Sequence, residues 1–388
     1  MGIKNSFPAL LLLLIVSTGE RTFAQPGDMR TWRALFEKPF DKIHAANRFL
    51  WDAICQKPPS EVKGIIHALD DDKKVNNSDK TSARMSLLKS MYCRVYDSLY
   101  DNEGWEYWGN RSVSGARNTE DDYIMQGCCL FLGDAYLRMN NYDTAIFYLL
   151  KTVELSEKLG YNEDFIVANK IAVSNALYRT QNYRQCINFC VSNYDIESNL
   201  VPITVMSAYN NAGLSYLELN NPDSAIYYFN KGQAYAARKK WGVWEGIMLG
   251  NMGMALHQKG EDDKAIIYWQ RNYDSSFKYK EWGNAASTLA YISEYEFNHG
   301  RQAQAISHLQ LATAADYSDR APDPQRRILI YKVKSYCYRK LNRHDSADYF
   351  LDEHYRILDS VHQVISRNKF NWLSFAWRLK KVITNIIF

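Results

Sequence analysis

Six small residues recur along this chain at nearly constant spacing: Ala145, Cys186, Ala225, Ala265, Ala305 and Ala347 are separated by 41, 39, 40, 40 and 42 positions. Most follow a short polar turn, as in Tyr142-Asp143-Thr144-Ala145, Tyr183-Arg184-Gln185-Cys186, Pro222-Asp223-Ser224-Ala225 and His344-Asp345-Ser346-Ala347. Twelve places before each stands a second small residue: Gly133, Ser174, Gly213, Gly253, Ser293 and Ser335. A bulky residue usually follows that one three places on (Tyr136, Leu177, Tyr216, Leu256, Tyr338), and an apolar one sixteen places on (Leu149, Phe229, Trp269, Leu309, Leu351). Antiparallel helices approach closely where each presents a small side chain, and larger residues fill the flanking space. The spacing therefore predicts a chain of antiparallel helix pairs.

This order of small and aromatic places resembles the tetratricopeptide repeat (TPR) family, and Leu132-Gly133-Asp134-Ala135-Tyr136 matches its signature. The resemblance implies an all-α fold, a TPR-like α-solenoid in which antiparallel helix pairs wind into a right-handed superhelix. It covers about residues 120–360, with some six helix pairs assigned to 121–362. Gly133, Ala145, Gly213, Ala225, Gly253, Ala265, Ala305 and Ala347 become the repeat-packing residues. A period near 40 exceeds the usual ~34. In this it resembles the exported TPR regions of Bacteroidetes sensor and regulator proteins. Longer helices account for the excess, as over 222–241, with Pro222 starting the helix and Gly242 following it. Asp143, Asp223, Asp263 and Asp345 fall near the start of second helices, where they favour the helix dipole.

Composition agrees with packed helices. Of 388 residues 46% are hydrophobic and 23% charged, with 28 Tyr but only 19 Gly and 9 Pro. The net charge of +4 is spread along the chain and implies no nucleic-acid partner. Seven cysteines without CxxC spacing form neither a disulfide framework nor a zinc site. Cys186 and Cys190 lie one helical turn apart and read as small core residues.

Both ends depart from the repeat. Lys4, the apolar run from Ala9 to Val16 and the small-residue site Thr22-Phe23-Ala24 read as a secretory signal peptide over 1–24. The mature chain is then exported, to a periplasm or cell envelope. Residues 25–120 read as an N-terminal helical cap of degenerate repeats. Within it fall a long helix over 30–55 that Pro58-Pro59 ends, a solvated loop over 70–80 and a helix over 81–100. In the segment 363–388, Phe370, Trp372, Leu373, Phe375 and Trp377 precede Arg378, Lys380 and Lys381. Such a helix fits peripheral membrane contact through Phe370–Phe388, and equally a cap on the last repeat.

No catalytic signature stands out. The eight histidines show no metal-ligand spacing, and neither a phosphate-binding glycine loop nor a GxSxG elbow is present. Neither enzymatic activity nor a cofactor is expected. In TPR arrays the first helix of each pair lines a concave surface that takes extended peptides. Asn175, Asn210, Asn211 and Asn251 fall on first helices and are the candidate partner-binding residues. In long-repeat relatives an asparagine just before the small glycine often bonds a peptide backbone, and Asn211 and Asn251 match that place. An amide offers both donor and acceptor to a peptide unit; the same side chains could instead bridge neighbouring helices. The expected function is an exported, non-catalytic scaffold that binds a peptide or protein. The alternative is the sensory input module of a membrane-associated signalling protein, this chain being either a stand-alone relative of such proteins or a truncated one.

Overall fold

The computed structural model describes residues 57–72, 78–96, 103–191, 195–319 and 323–363. The signal peptide, the helix over 30–55 and the aromatic segment after 363 lie outside these residues.

The described residues are helical, and no strand occurs among them. The first three helices are α1 (Pro59–Asp70), α2 (Asp79–Tyr96) and α3 (Trp105–Asn118). Pro58 is the N-cap of α1 and Pro59 its first residue, where a missing N–H costs nothing. Helix α3 was not legible from spacing. It packs on α2, with Ala83 so close to Gly115 that a Cβ there would be 2.8 Å from the alanine methyl.

Six pairs follow. Their first helices are α4 (Asp122–Arg138), α6 (Glu163–Arg179), α9 (Pro202–Glu218), α11 (Gly242–Gln258), α13 (Trp282–Asn298) and α15 (Pro324–Lys340). Their second helices are α5 (Tyr142–Lys158), α7 (Tyr183–Cys190), α10 (Pro222–Arg238), α12 (Asp262–Tyr279), α14 (Gln302–Ser318) and α16, over 344–363. The starts of the first helices step by 41, 39, 40, 40 and 42, the same series as the small residues. One short helix, α8 (Ile196–Asn199), lies outside the pairing.

The contacts explain the spacing. A Cβ on Gly133 would meet Leu149 at 2.7 Å, on Gly213 Phe229 at 2.3 Å, and on Gly253 Trp269 at 2.5 Å. Each glycine thus accepts the residue sixteen places on. Ala145, Cys186, Ala225, Ala265, Ala305 and Ala347 have no exposed surface. The places three beyond each small residue carry stacked rings in three pairs: Tyr136 on Tyr148, Tyr216 on Tyr228, and Tyr338 on Phe350, at 5.9, 5.5 and 5.6 Å.

Helix ends are set locally. Asp121, Asn221 and Asp323 cap α4, α10 and α15 by accepting backbone N–H groups. Five first helices close with a bond from the residue after the turn to a carbonyl five places back, from Asn141 to Tyr136, Asn221 to Tyr216, Glu261 to Leu256, Arg301 to Glu296 and Arg343 to Tyr338. Two expectations change here. The helix over 222–241 stops at Arg238, because Lys240 turns left-handed (φ 53°), and Gly242 begins the next helix. Helix α7 has only eight residues: Val191 is extended, and Asp195 takes the N–H groups of Glu197 and Ser198 to start a separate turn.

The described residues form two compact units. One holds those up to Arg179 with 195–204; the other holds 180–191 with 205–363. The division passes through the second pair, placing α6 in the first unit and α7 in the second.

Candidate functional site

The residues that could hold a partner lie on the first helices of the second unit, α9, α11, α13 and α15. Polar bonds tie these helices to one another. Asn251 on α11 donates its Nδ2 to Asn210 Oδ1 on α9 at 2.8 Å. Two turns further along α11, Gln258 Nε2 donates to the Leu217 carbonyl and to Asn220 Oδ1, both at 3.1 Å. Tyr336 on α15 donates its hydroxyl to Asn298 Oδ1 on α13 at 2.7 Å.

Of the four candidate asparagines, Asn210 and Asn251 are brought together. Each uses one amide atom on the other. Asn210 keeps its NH2 and Asn251 its carbonyl, so the joined pair still offers one donor and one acceptor, the complement of a peptide unit. Asn211 is placed differently: it is only 6% exposed, packed inside, and its backbone carbonyl accepts from Cys186 Sγ at 3.9 Å. The pairing therefore joins Asn251 to Asn210 and not Asn251 to Asn211. Positions 40 apart point in parallel, and the neighbour one place earlier is turned by about 100°, which leans Asn210 across to α11. Asn175 is half-buried on α6 and belongs to the other unit.

Tyr291 on α13 adds a half-buried aromatic surface that spacing did not single out. Its ring stacks on Trp269 at 4.9 Å and 11°. Burial pushes its hydroxyl up to about 12, and the Glu294 and Glu218 carboxylates push the same way. Glu218 also accepts from Tyr183, whose hydroxyl is raised first by burial and then by that carboxylate. On α15 the Lys334 amine is lowered by burial, with its Nζ 4.8 Å from the Phe350 ring centre.

The Cys128 and Cys337 thiols are pushed up to about 12 by burial and stay protonated at neutral pH. Among the described residues no three His, Cys, Asp or Glu side chains converge as a metal ion needs. No described helix is long and apolar enough to cross a membrane.

The tetratricopeptide repeat family model matches residues 127–159 and 207–238. The chain carries tetratricopeptide repeats. The two matched stretches are α4–α5 and α9–α10, the pairs in which Gly133 and Gly213 receive Leu149 and Phe229. Solved TPR-like structures share the architecture. The apo form of RapI is similar with a TM-score of 0.57 at 13% identity, covering 74% of this chain and 99% of its own. A Rap protein complexed with competence and sporulation factor gives 0.55 at 11%, covering 84% and 100%. The apo form of the quorum sensor NprR from B. thuringiensis gives 0.53 at 14%, covering 82% and 99%. At such identities the likeness is one of fold. No curated protein matches the chain in sequence.

Proposed function

We propose that the second unit binds an extended peptide, or an extended segment of a partner protein, along α9, α11 and α13, as a scaffold without catalytic activity. One observation carries the reading. The Asn210–Asn251 pair spans two successive first helices and leaves one donor and one acceptor for a backbone lying across them. The stacked Tyr291 ring and the Glu218 and Glu294 carboxylates add apolar and acidic surface nearby. The fold analogy supports it, since a Rap structure of similar architecture is a complex with competence and sporulation factor.

The setting we infer is extracytoplasmic, after removal of residues 1–24, with a long repeat of about 40 residues like that of Bacteroidetes sensor regions. A second reading, a sensory input module of a signalling protein, draws on the likeness to NprR, a quorum sensor.

Selection of linear peptides on the chain without residues 1–24, followed by calorimetry, tests the proposal. Replacing Asn210 and Asn251 together with alanine removes the pair without orphaning either partner. The two contacts are worth about 0.5–1.5 kcal/mol each, so affinity should fall roughly tenfold with the melting curve kept. Failure to select any peptide, or unchanged affinity in the double variant, overturns the reading.

A further inference from the structure

In the second unit, the second helices α10, α12 and α14 pass to the first helices α11, α13 and α15 along one edge. Contacts join these connections. Tyr279, the last residue of α12, lies against Gly242, the first of α11, where a Cβ would be 2.3 Å from its hydroxyl. Ser275 Oγ donates to the Gly242 carbonyl at 3.0 Å. Gly283, in the first turn of α13, likewise meets Asp319 and Arg326.

The edge collects exposed aromatic and basic side chains. Phe277, Tyr279 and Tyr317 are 58, 41 and 69% exposed. Phe277 packs edge-on against Trp282 at 5.8 Å, and Trp241 against Trp244 at 6.0 Å, the three tryptophans half-buried. Equivalent places line up. Phe277 and Tyr317 stand twelve after Ala265 and Ala305, and Lys240 and Lys280 stand fifteen after Ala225 and Ala265. They therefore project alike from neighbouring repeats.

Lys239, Lys240, Lys278 and Lys280 are exposed, and none meets a carboxylate in an ion pair among the described residues. With Arg238 they face only two exposed carboxylates in 238–244 and 274–282, Asp274 and Glu281. The opposite edge differs. There Lys259 pairs with Asp223 and Glu261, and Lys264 with Glu261. One edge is thus neutralised by its own side chains, and the other keeps a cationic field beside apolar rings. Tryptophan and tyrosine settle at the headgroup layer of a bilayer, and lysine is drawn to anionic lipid. A row of turn tips forms a ridge, which rests on a flat surface, whereas a groove is needed to enclose a segment of chain.

We propose that this edge docks the second unit on an anionic lipid bilayer, with Phe277 and Tyr317 entering the headgroup layer and the four lysines meeting lipid phosphates. The docking does not rest on the peptide-binding reading.

Flotation of the full chain with vesicles of phosphatidylcholine and phosphatidylglycerol tests it. Replacing Lys239, Lys240, Lys278 and Lys280 together by glutamine should weaken vesicle binding about a hundredfold. Phe277→Ser with Tyr317→Ser should weaken it roughly tenfold by removing apolar surface. Both should keep the melting curve, because the replaced side chains are exposed. Lys259→Gln with Lys264→Gln, on the opposite edge, should leave binding unchanged. A second measurement needs no variant: the vesicles should slow amide exchange over 239–244 and 277–283 and not over 259–264. Flotation retained by the four-glutamine variant, an equal loss in the opposite-edge variant, or unchanged exchange at the two turns overturns the proposal. So does binding of poly-glutamate through the same lysines without flotation, since the edge would then serve an acidic protein. None of these outcomes bears on peptide affinity at Asn210 and Asn251.

Discussion

The ring of Phe229 rests on the bare Cα of Gly213, so close that a methyl there would stand 2.3 Å from its Cε1. Phe229 has no exposed surface, and Ala225, one turn before it on α10, has none either. Gly213→Ala must displace the ring, and Ala225→Phe must part α9 from α10. Each should cost about 1–3 kcal/mol, Gly213→Ala somewhat less because alanine is the better helix former. Thermal melts measure both. An unshifted curve for Ala225→Phe would contradict the close crossing.

Lys280 ends α12 in the left-handed region, with φ 60°. After α5 the equivalent turn is held by Gly160, φ 69°. A side chain meets a steric penalty there that glycine does not, and Lys280 lies at an exposed turn. Lys280→Gly should stabilise by about 0.5–1 kcal/mol, read from denaturant melts. A loss of stability would mean that the lysine makes a compensating contact.

Asp143, in the first turn of α5, has its carboxyl pushed up to about 6 by burial, and its Oδ2 is buried without a hydrogen bond. Its ordinary value is 3.8, so the folded chain keeps a proton that the unfolded chain releases. The stabilisation from protonation is full below about pH 4 and is lost as pH rises through about 6. The helix dipole favours the ionised form and trims the effect without reversing it. Asp143→Asn has no charge to bury. Its stability relative to wild type should therefore be greater at about pH 7 than at about pH 4. Equal differences at the two pH values would reject the buried carboxyl.

Asp316 and Arg326 form a buried ion pair between α14 and α15, their side chains 4 and 8% exposed and 3.1 Å apart. Arg327 bonds the other oxygen of Asp316 at 2.8 Å, and Asp319 bonds Arg326 at 2.7 Å. The backbone of α13 closes the site at Gly283, where a Cβ would be 2.6 Å from the guanidinium carbon. Asp316→Ala leaves a buried guanidinium with one partner fewer. It should cost about 3 kcal/mol or more, with faster amide exchange concentrated in α13–α15. A cost below about 1 kcal/mol would place the pair in contact with water.

Much of the local architecture was legible because its causes are local. A small residue at a helix crossing, an aspartate in a first turn and a bulky residue three places on all act within one pair, so they leave a periodic trace. Helix α3 left none, because the longer connection after α2 breaks the spacing. The early stop of α7 was hidden for a different reason. Cys186 keeps the repeat's small place, and the competition between continuing that helix and restarting at Asp195 lies beyond it.

The candidate site divides along the same line. The chain alone determined which helices carry asparagines and which positions are equivalent, since a 40-residue period makes equal places project alike. Only the tertiary structure decided that Asn251 reaches Asn210 while Asn211 turns inward. Neighbouring residues on a helix differ by about 100° in direction, and which of two adjacent amides faces the next helix depends on how closely α9 and α11 pack. That closeness is set through α10, by Phe229 against Gly213 and Met248 against Gly232; a spacing of sixteen marks such contacts without fixing how near α9 comes to α11.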